Sequence, residues 1–166
     1  MPDLLVSLYS AKLAELKQRA DNVGVASRPA LPPELHLVVN WVRERFSENW
    51  ASEVSVAFSR QPVACLIAVE GRELLGFACY DTTARGFFGP TGVDPQARGK
   101  GIGLALFSAC LQTMKALGHA YAFIGDAGPV EFYARTAGAI TIPAPDKGIY
   151  EGMLKARRND HLIPEL

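Results

Sequence analysis

This chain of 166 residues is poor in the groups that build metal sites and disulfide frameworks, with three cysteines and three histidines. Cys65 and Cys79 fall in apolar strand-like runs and Cys110 in an apolar helix stripe, with no CxxC spacing and an odd total. They read as small buried hydrophobes in a reducing compartment. His36, His119 and His161 are scattered, none at ligand spacing from a cysteine or another histidine, so no bound metal is expected. Net charge is also missing, since 17 Lys plus Arg balance 17 Asp plus Glu. A zero balance removes any general attraction to nucleic acid or an anionic membrane and leaves anion recognition to local features. No apolar run approaches membrane-spanning length, and the apolar start Leu4-Leu5-Val6 lacks a preceding basic region. The expected location is the cytoplasm. Repeats and low-complexity segments are absent as well.

What is present is ordinary globular material: 49% hydrophobic and 20% charged residues, enough for a core without covalent staples. Leu5, Leu8, Tyr9 and Leu16 recur near helical spacing, so Leu4 to Leu16 is expected to be an amphipathic helix. Residues 1–22 are read as a helical extension that packs on the domain or on a second subunit, which makes a homodimer an expectation. A short strand follows near Arg28. Pro32-Pro33 marks a helix start, and Leu35, Val38, Val39, Val42 and Phe46 form its core stripe. A further helix is expected over 51–59. Strands are expected over 63–69 and 74–80 around a turn at Glu70–Glu73, and over 87–93, where Gly89, Pro90 and Gly92 suggest a bulge. Ile102, Leu106, Phe107, Cys110, Met114 and Leu117 form the next helix stripe, stopped by Gly118. Strands over 121–124, 140–142 and 149–154 and a helix begun by Pro129 complete the domain at 23–155, and the polar stretch 156–166 is a tail.

The most informative stretch is Arg98-Gly99-Lys100-Gly101-Ile102-Gly103, which joins a strand ending at Val93 to a helix. Glycine lets the main chain approach a ligand without a Cβ in the way, and first-turn amides with the helix dipole favour a diphosphate. Arg98 and Lys100 add positive charge there. A Walker A loop is excluded, because Asp94 stands at its first glycine and Gly101 at its hydroxyl position. The dinucleotide fingerprint is excluded too, since Leu104 or Leu106 stands at its last glycine. Arg-x-x-Gly-x-Gly remains.

The run from Val93 to Leu106 resembles the acyl-CoA-binding motif of the GNAT superfamily of N-acyltransferases. Asp126 to Ala139 resembles that family's second signature, a short helix carrying a tyrosine, here Tyr133, then glycine and a return strand. The resemblance covers roughly 25–154. It implies an α+β fold with a mixed, mostly antiparallel central sheet flanked by helices on both faces, opening between the strand ending at Val93 and the strand from Tyr121. It implies acetyl-CoA as cofactor, held by Val93, Arg98, Gly99, Lys100, Gly101, Ile102, Gly103 and Asp126, with the Val93 amide directed at the thioester oxygen.

Within this resemblance Tyr133 is the catalytic residue, the proton donor to the departing thiolate. An unperturbed phenol near ~10 stays protonated at neutral pH and is expected to protonate a thiolate whose conjugate acid lies near ~8.5. The region of Trp41, Phe46, Trp50 and Phe58 corresponds to the wall of the acceptor cleft, and Trp50 is the chosen substrate-binding residue. Asp126 departs from the family's usual Asn, and its role stays open among capping, pantetheine binding and attraction of an ammonium. Asp81, Asp126 and Glu151 are carboxylates near element ends, and none is singled out as a base.

The implied activity is transfer of an acetyl group to a primary amine by direct attack. The neutral balance favours a small-molecule amine over a strongly basic protein tail as partner. A non-catalytic acyl-CoA sensor is the alternative; it would keep Gly101 and Gly103 but need no Tyr133. A nucleotide-phosphate enzyme is disfavoured by the two failed motifs.

Overall fold

A computed structural model of the chain describes residues 1–143 and 148–155. The order is β1 (Leu4–Ser7), α1 (Ala11–Val23), β2 (Ser27–Pro29), α2 (Leu35–Arg45), α3 (Glu48–Phe58), β3 (Cys65–Glu70), β4 (Glu73–Tyr80), β5 (Phe88–Val93), α4 (Ile102–Ala116), β6 (Tyr121–Ile124), α5 (Val130–Ala137) and β7 (Ile140–Thr141). Short 3-10 turns stand at Pro32–Glu34, Pro95–Ala97 and Gly148–Tyr150.

The strands form two antiparallel sheets, β2-β3-β4-β5 and β6-β1-β7. A parallel bridge between Phe87 and Phe123 joins them, supported by the Phe123 N–H donating to the Gly86 carbonyl at 2.9 Å. Beyond that joint β5 and β6 run side by side in the same direction and belong to separate sheets. The cleft expected between them is therefore built by topology, with backbone edges for walls.

The two faces of the larger sheet carry different partners. On one face α4 packs so closely that a Cβ on Gly76 would lie 3.1 and 3.2 Å from Leu106 and Ile102 side-chain atoms. On the other, Phe77 is enclosed by Trp41, Phe46 and Trp50 from α2 and its junction with α3, at centroid distances of 6.1, 5.9 and 6.3 Å. Val38, Val39 and Val42 of the expected α2 stripe are buried, as are Ala51, Val54, Ala57 and Phe58 of α3. Ser47 starts α3 by accepting the Trp50 N–H at 3.1 Å.

Three expectations are corrected. Leu4 to Ser7 is a strand and not the start of a helix; its residues pair with Tyr121–Ile124 and with Ile140–Thr141, and the helix begins at Ala11. Ser10 and Gly24 bound that helix, Gly24 in the left-handed region at φ +73°. Residues 149–154 are not a strand: the 3-10 helix reaches Tyr150 and a turn at 151–152 follows. Leu117 is 51% exposed, because α4 stops at Ala116 and the chain has already left its buried stripe.

The β3–β4 turn is tighter than expected, with Glu70 opposite Glu73 and Gly71-Arg72 as the loop. The bulge falls at Gly89-Pro90: Phe88 pairs with Tyr80 and Thr91 with Ala78, which sets two residues of β5 against one of β4. The tail at 156–166 lies outside the described residues.

Candidate active site

The ladder between β4 and β5 decides what the cleft wall offers. The Asp94 N–H donates to the Leu75 carbonyl at 2.8 Å, so Asp94 and Leu75 are a hydrogen-bonded antiparallel pair. Alternation along such a ladder makes Gly92–Phe77 the next bonded pair and leaves Val93 and Thr91 with their main-chain groups turned away from β4, into the splay. Arg98 reflects this, its Nε donating to the outward Val93 carbonyl at 3.4 Å.

Asp94 then turns the chain. Its carboxylate accepts the Gln96 N–H at 2.9 Å and starts the 3-10 turn, while Arg45 Nε holds its other oxygen at 2.7 Å. That hydrogen bond from Arg45 comes first in holding the Asp94 carboxyl below its usual range, with the Gln96 amide next. Arg45 is itself braced 4.6 Å over the Trp41 ring.

Gly99 and Gly101 follow at φ +80° and +81°, a conformation that L side chains rarely adopt. Gly101 has no room for a side chain either, as a Cβ would sit 2.5 Å from Val23 Cγ1. The first α-helical bond of α4 beyond the turn runs from the Ala105 N–H to the Gly101 carbonyl at 3.0 Å. Helix geometry leaves the amides of Ile102, Gly103 and Leu104 without an intrahelical acceptor. Such free amides suit an anion, and Arg98 stands beside them.

These elements enclose a cleft of about 520 Å³. Its walls include Val93, Arg98, Gly99, Gly101, Ile102 and Gly103 from the expected set, and Tyr133 enters from α5. Thr91, Leu104, Phe107 and Phe132 also line it and were not singled out from the sequence. Phe107 reads as core from its helical stripe and Phe132 as a mere neighbour of Tyr133; Thr91 gives a local signal only once the ladder phase is known.

Tyr133 is buried, its ring 5.2 Å from Phe107, 5.3 Å from Phe132 and 6.3 Å from Phe88. Burial among these rings pushes the phenol up to about 12, so Tyr133 Oη keeps its proton throughout the physiological range. The expected downhill transfer to a thiolate is corrected by the same fact. The phenol holds its proton more tightly than a thiol near ~8.5, already at its ordinary ~10 and more so after burial. Full transfer to a free thiolate runs uphill.

Three candidates are not brought into the cleft. Lys100 is exposed at the apex of the turn and does not line it. Asp126, at φ +48°, places its carboxylate 2.9 Å from the Met1 amine while its own N–H donates to Asp3 at 2.9 Å. Trp50 packs on Phe46 at 5.1 Å and against Phe77, on the face of the sheet opposite α4. The aromatic cluster that holds it depends on β4, which its helical spacing cannot show.

The site suits coenzyme A on three structural grounds: outward strand edges for an amide-bearing arm, turn amides with Arg98 for a diphosphate, and apolar walls between them. No curated protein matches the chain. Among solved structures, a glucosamine N-acetyltransferase region of a fungal multi-domain β-N-acetylglucosaminidase superposes with a TM-score of 0.68 at 15% identity, covering 85% of this chain and 19% of that one. A GCN5-related N-acetyltransferase from Sphaerobacter thermophilus gives 0.57 at 19% identity, covering 85% and 48%. A GNAT family N-acetyltransferase from Escherichia coli, solved in complex with CoA, gives 0.54 at 19%, covering 68% and 67%. The chain thus spans about a fifth and about a half of the first two, and at these identities the likeness is one of fold. A family model for the acetyltransferase (GNAT) family matches residues 35–139, which hold β5, the glycine turn, α4 and the Tyr133 helix. With that match over well more than half its length, the chain belongs to the GNAT family of acetyltransferases.

Proposed function

We propose that the protein is an acetyl-CoA-dependent N-acetyltransferase whose acceptor is a primary amine on a small molecule. One observation carries this reading: the open amides of the Gly99–Gly103 turn and the hydroxyl-bearing ring of Tyr133 line a single cleft. Acetyl-CoA, when bound, supplies an acyl group activated as a thioester. The amides of Ile102, Gly103 and Leu104, with Arg98, hold its diphosphate. Thr91 and Val93 would offer main-chain groups to its amide-bearing arm, and the Val93 N–H would serve to polarise the acyl carbonyl.

Tyr133 Oη would donate a hydrogen bond to the thioester sulfur as it takes up charge, and its raised pKa opposes complete transfer of the proton. The acceptor ammonium would release one proton to solvent before attack, and a second proton, lost from the attacking nitrogen as the amide forms, would end on the departing thiolate. The neutral charge balance supports a small molecule over a basic protein tail.

An acceptor screen with acetyl-CoA, read by release of free thiol, tests the proposal. Turnover with at least one small amine, and its collapse in Tyr133→Phe, is expected. Binding of acetyl-CoA without thiol release across a broad amine panel would favour the sensor reading instead.

A further inference from the structure

A second cavity, of about 470 Å³, lies at the opposite end of α4 from the glycine turn and shares no lining residue with the acyl-CoA cleft. Fifteen helical residues separate the two ends, ~22 Å at ~1.5 Å per residue. Its charged side chains come from three separate loops: Arg60 after α3, Asp81 and Arg85 after β4, and His119 after α4.

The local bonding fixes their arrangement. Asp81 sits at φ +53°, a left-handed conformation uncommon outside glycine. Its Oδ1 accepts the Gly86 N–H at 2.6 Å and its Oδ2 lies 3.1 Å from His119 Nε2. Asp81, the one carboxylate lining the cavity among the described residues, therefore has both oxygens engaged. Arg60 Nε donates to the Asp81 carbonyl at 3.1 Å, which anchors the guanidinium and leaves its two terminal nitrogens for other acceptors.

Several carbonyls in the last turns of α3 and α4 are already paired. Thr113, Met114 and Lys115 accept from Leu117, His119 and Gly118, and Ala57 accepts from Arg60 and Ala64. Two arginines thus line one cavity whose lining carboxylate, among the described residues, is already engaged.

We infer that this cavity is a second binding site, for a small oxyanion-bearing molecule of the carboxylate or phosphate class, held by Arg60 and Arg85 with His119 oriented by Asp81. Paired guanidinium forks match the planar or trigonal oxygens of such groups. The inference does not depend on the acyltransferase reading, since the two sites are separate.

The test uses isotope-labelled full chain, titrated separately with inorganic phosphate and with succinate at constant ionic strength, with sodium chloride as control. The readouts are the His119 ring signals and the Gly86 and Gly118 amides. Saturable shifts there are expected, and each arginine substitution, Arg60→Gln or Arg85→Gln, weakens them about tenfold, the usual scale for a charge-assisted hydrogen bond. Arg98→Gln, at the far end of α4, leaves them unchanged. Response to phosphate alone identifies a phosphate ligand, to succinate alone a carboxylate, and to both a general oxyanion site. Melting temperatures within a few degrees of the parent show that the variants fold, and Arg85→Gln disturbs no anchoring bond of Arg60. The inference is overturned if neither anion shifts these signals beyond the chloride control, if the shifts persist undiminished in both variants, or if they map to residues 98–104 instead.

Discussion

Val23, the last residue of α1, lies directly beneath Gly101, so that a Cβ on the glycine would come within 2.5 Å of Val23 Cγ1. The relationship ties the N-terminal helix to the glycine turn. Gly101→Ala should lower stability by about 1–3 kcal/mol through the φ of +81° and the clash together. Adding Val23→Ala should recover part of that loss, because it removes the clash and leaves the backbone strain. Denaturant unfolding of the single and double variants measures both; equal stability of Gly101→Ala and the double variant would show that Val23 is not the obstacle.

Tyr133→Phe should lower the rate of acetyl transfer by about 10²-fold or more while leaving the KM for acetyl-CoA near its parent value, the pattern of a group that acts late in the reaction. The ring packing against Phe107 and Phe132 is retained, so folding should be preserved. Unchanged turnover in a well-folded variant would leave Tyr133 as a wall residue.

The same phenol makes alkaline stability a readout. Its folded pKa is raised to about 12 against ~10 in the unfolded chain. Below pH ~10 both states hold the proton, and above it the unfolded state loses its proton first. Stability should therefore fall as pH rises from ~10 towards ~12, on the order of 2 kcal/mol from this group. Tyr80 and Tyr150 are also shifted upward by burial, so the informative quantity is the difference between the parent and Tyr133→Phe. Parallel unfolding curves across that window would contradict the assignment.

The path of the turn was readable locally because its signals are local. Glycines at 99 and 101 supply the positive φ values, and the apolar stripe that follows, from Ile102 to Met114, marks the buried face of α4. β1 was misread for the opposite reason. Its four residues become a strand through partners at 121–124 and 140–141, more than a hundred residues away, and Leu5, Leu8 and Tyr9 mimic a helical spacing by chance. Trp50 shows the same limit at the level of the site, for its place is set by Phe77 on β4. Motif position alone points Asp126 to the cofactor, but its surroundings are the Met1 amine and Asp3, which no spacing within 126–139 reveals.

Asp94 links the fold to binding, since it starts the 3-10 turn and is held by Arg45. Asp94→Ala should raise the Kd for coenzyme A severalfold while leaving the core intact, and Arg45→Ala should follow it in the same direction more weakly. Binding isotherms on the two variants, beside their melting curves, check this. An unaltered Kd in Asp94→Ala would mean that the turn holds its shape without the cap.

The central claim is that main-chain amides at the start of α4 grip a diphosphate, and isothermal calorimetry tests it most directly. Coenzyme A should bind the folded protein with measurable heat, pantetheine, which lacks the diphosphate, far more weakly, and Gly103→Glu, where a Cβ would meet nothing nearer than Val93 Cγ2 at 3.7 Å, should abolish the signal while the variant retains its far-ultraviolet circular dichroism. Equal affinity for coenzyme A and pantetheine, or no heat with coenzyme A on well-folded protein, would contradict the account.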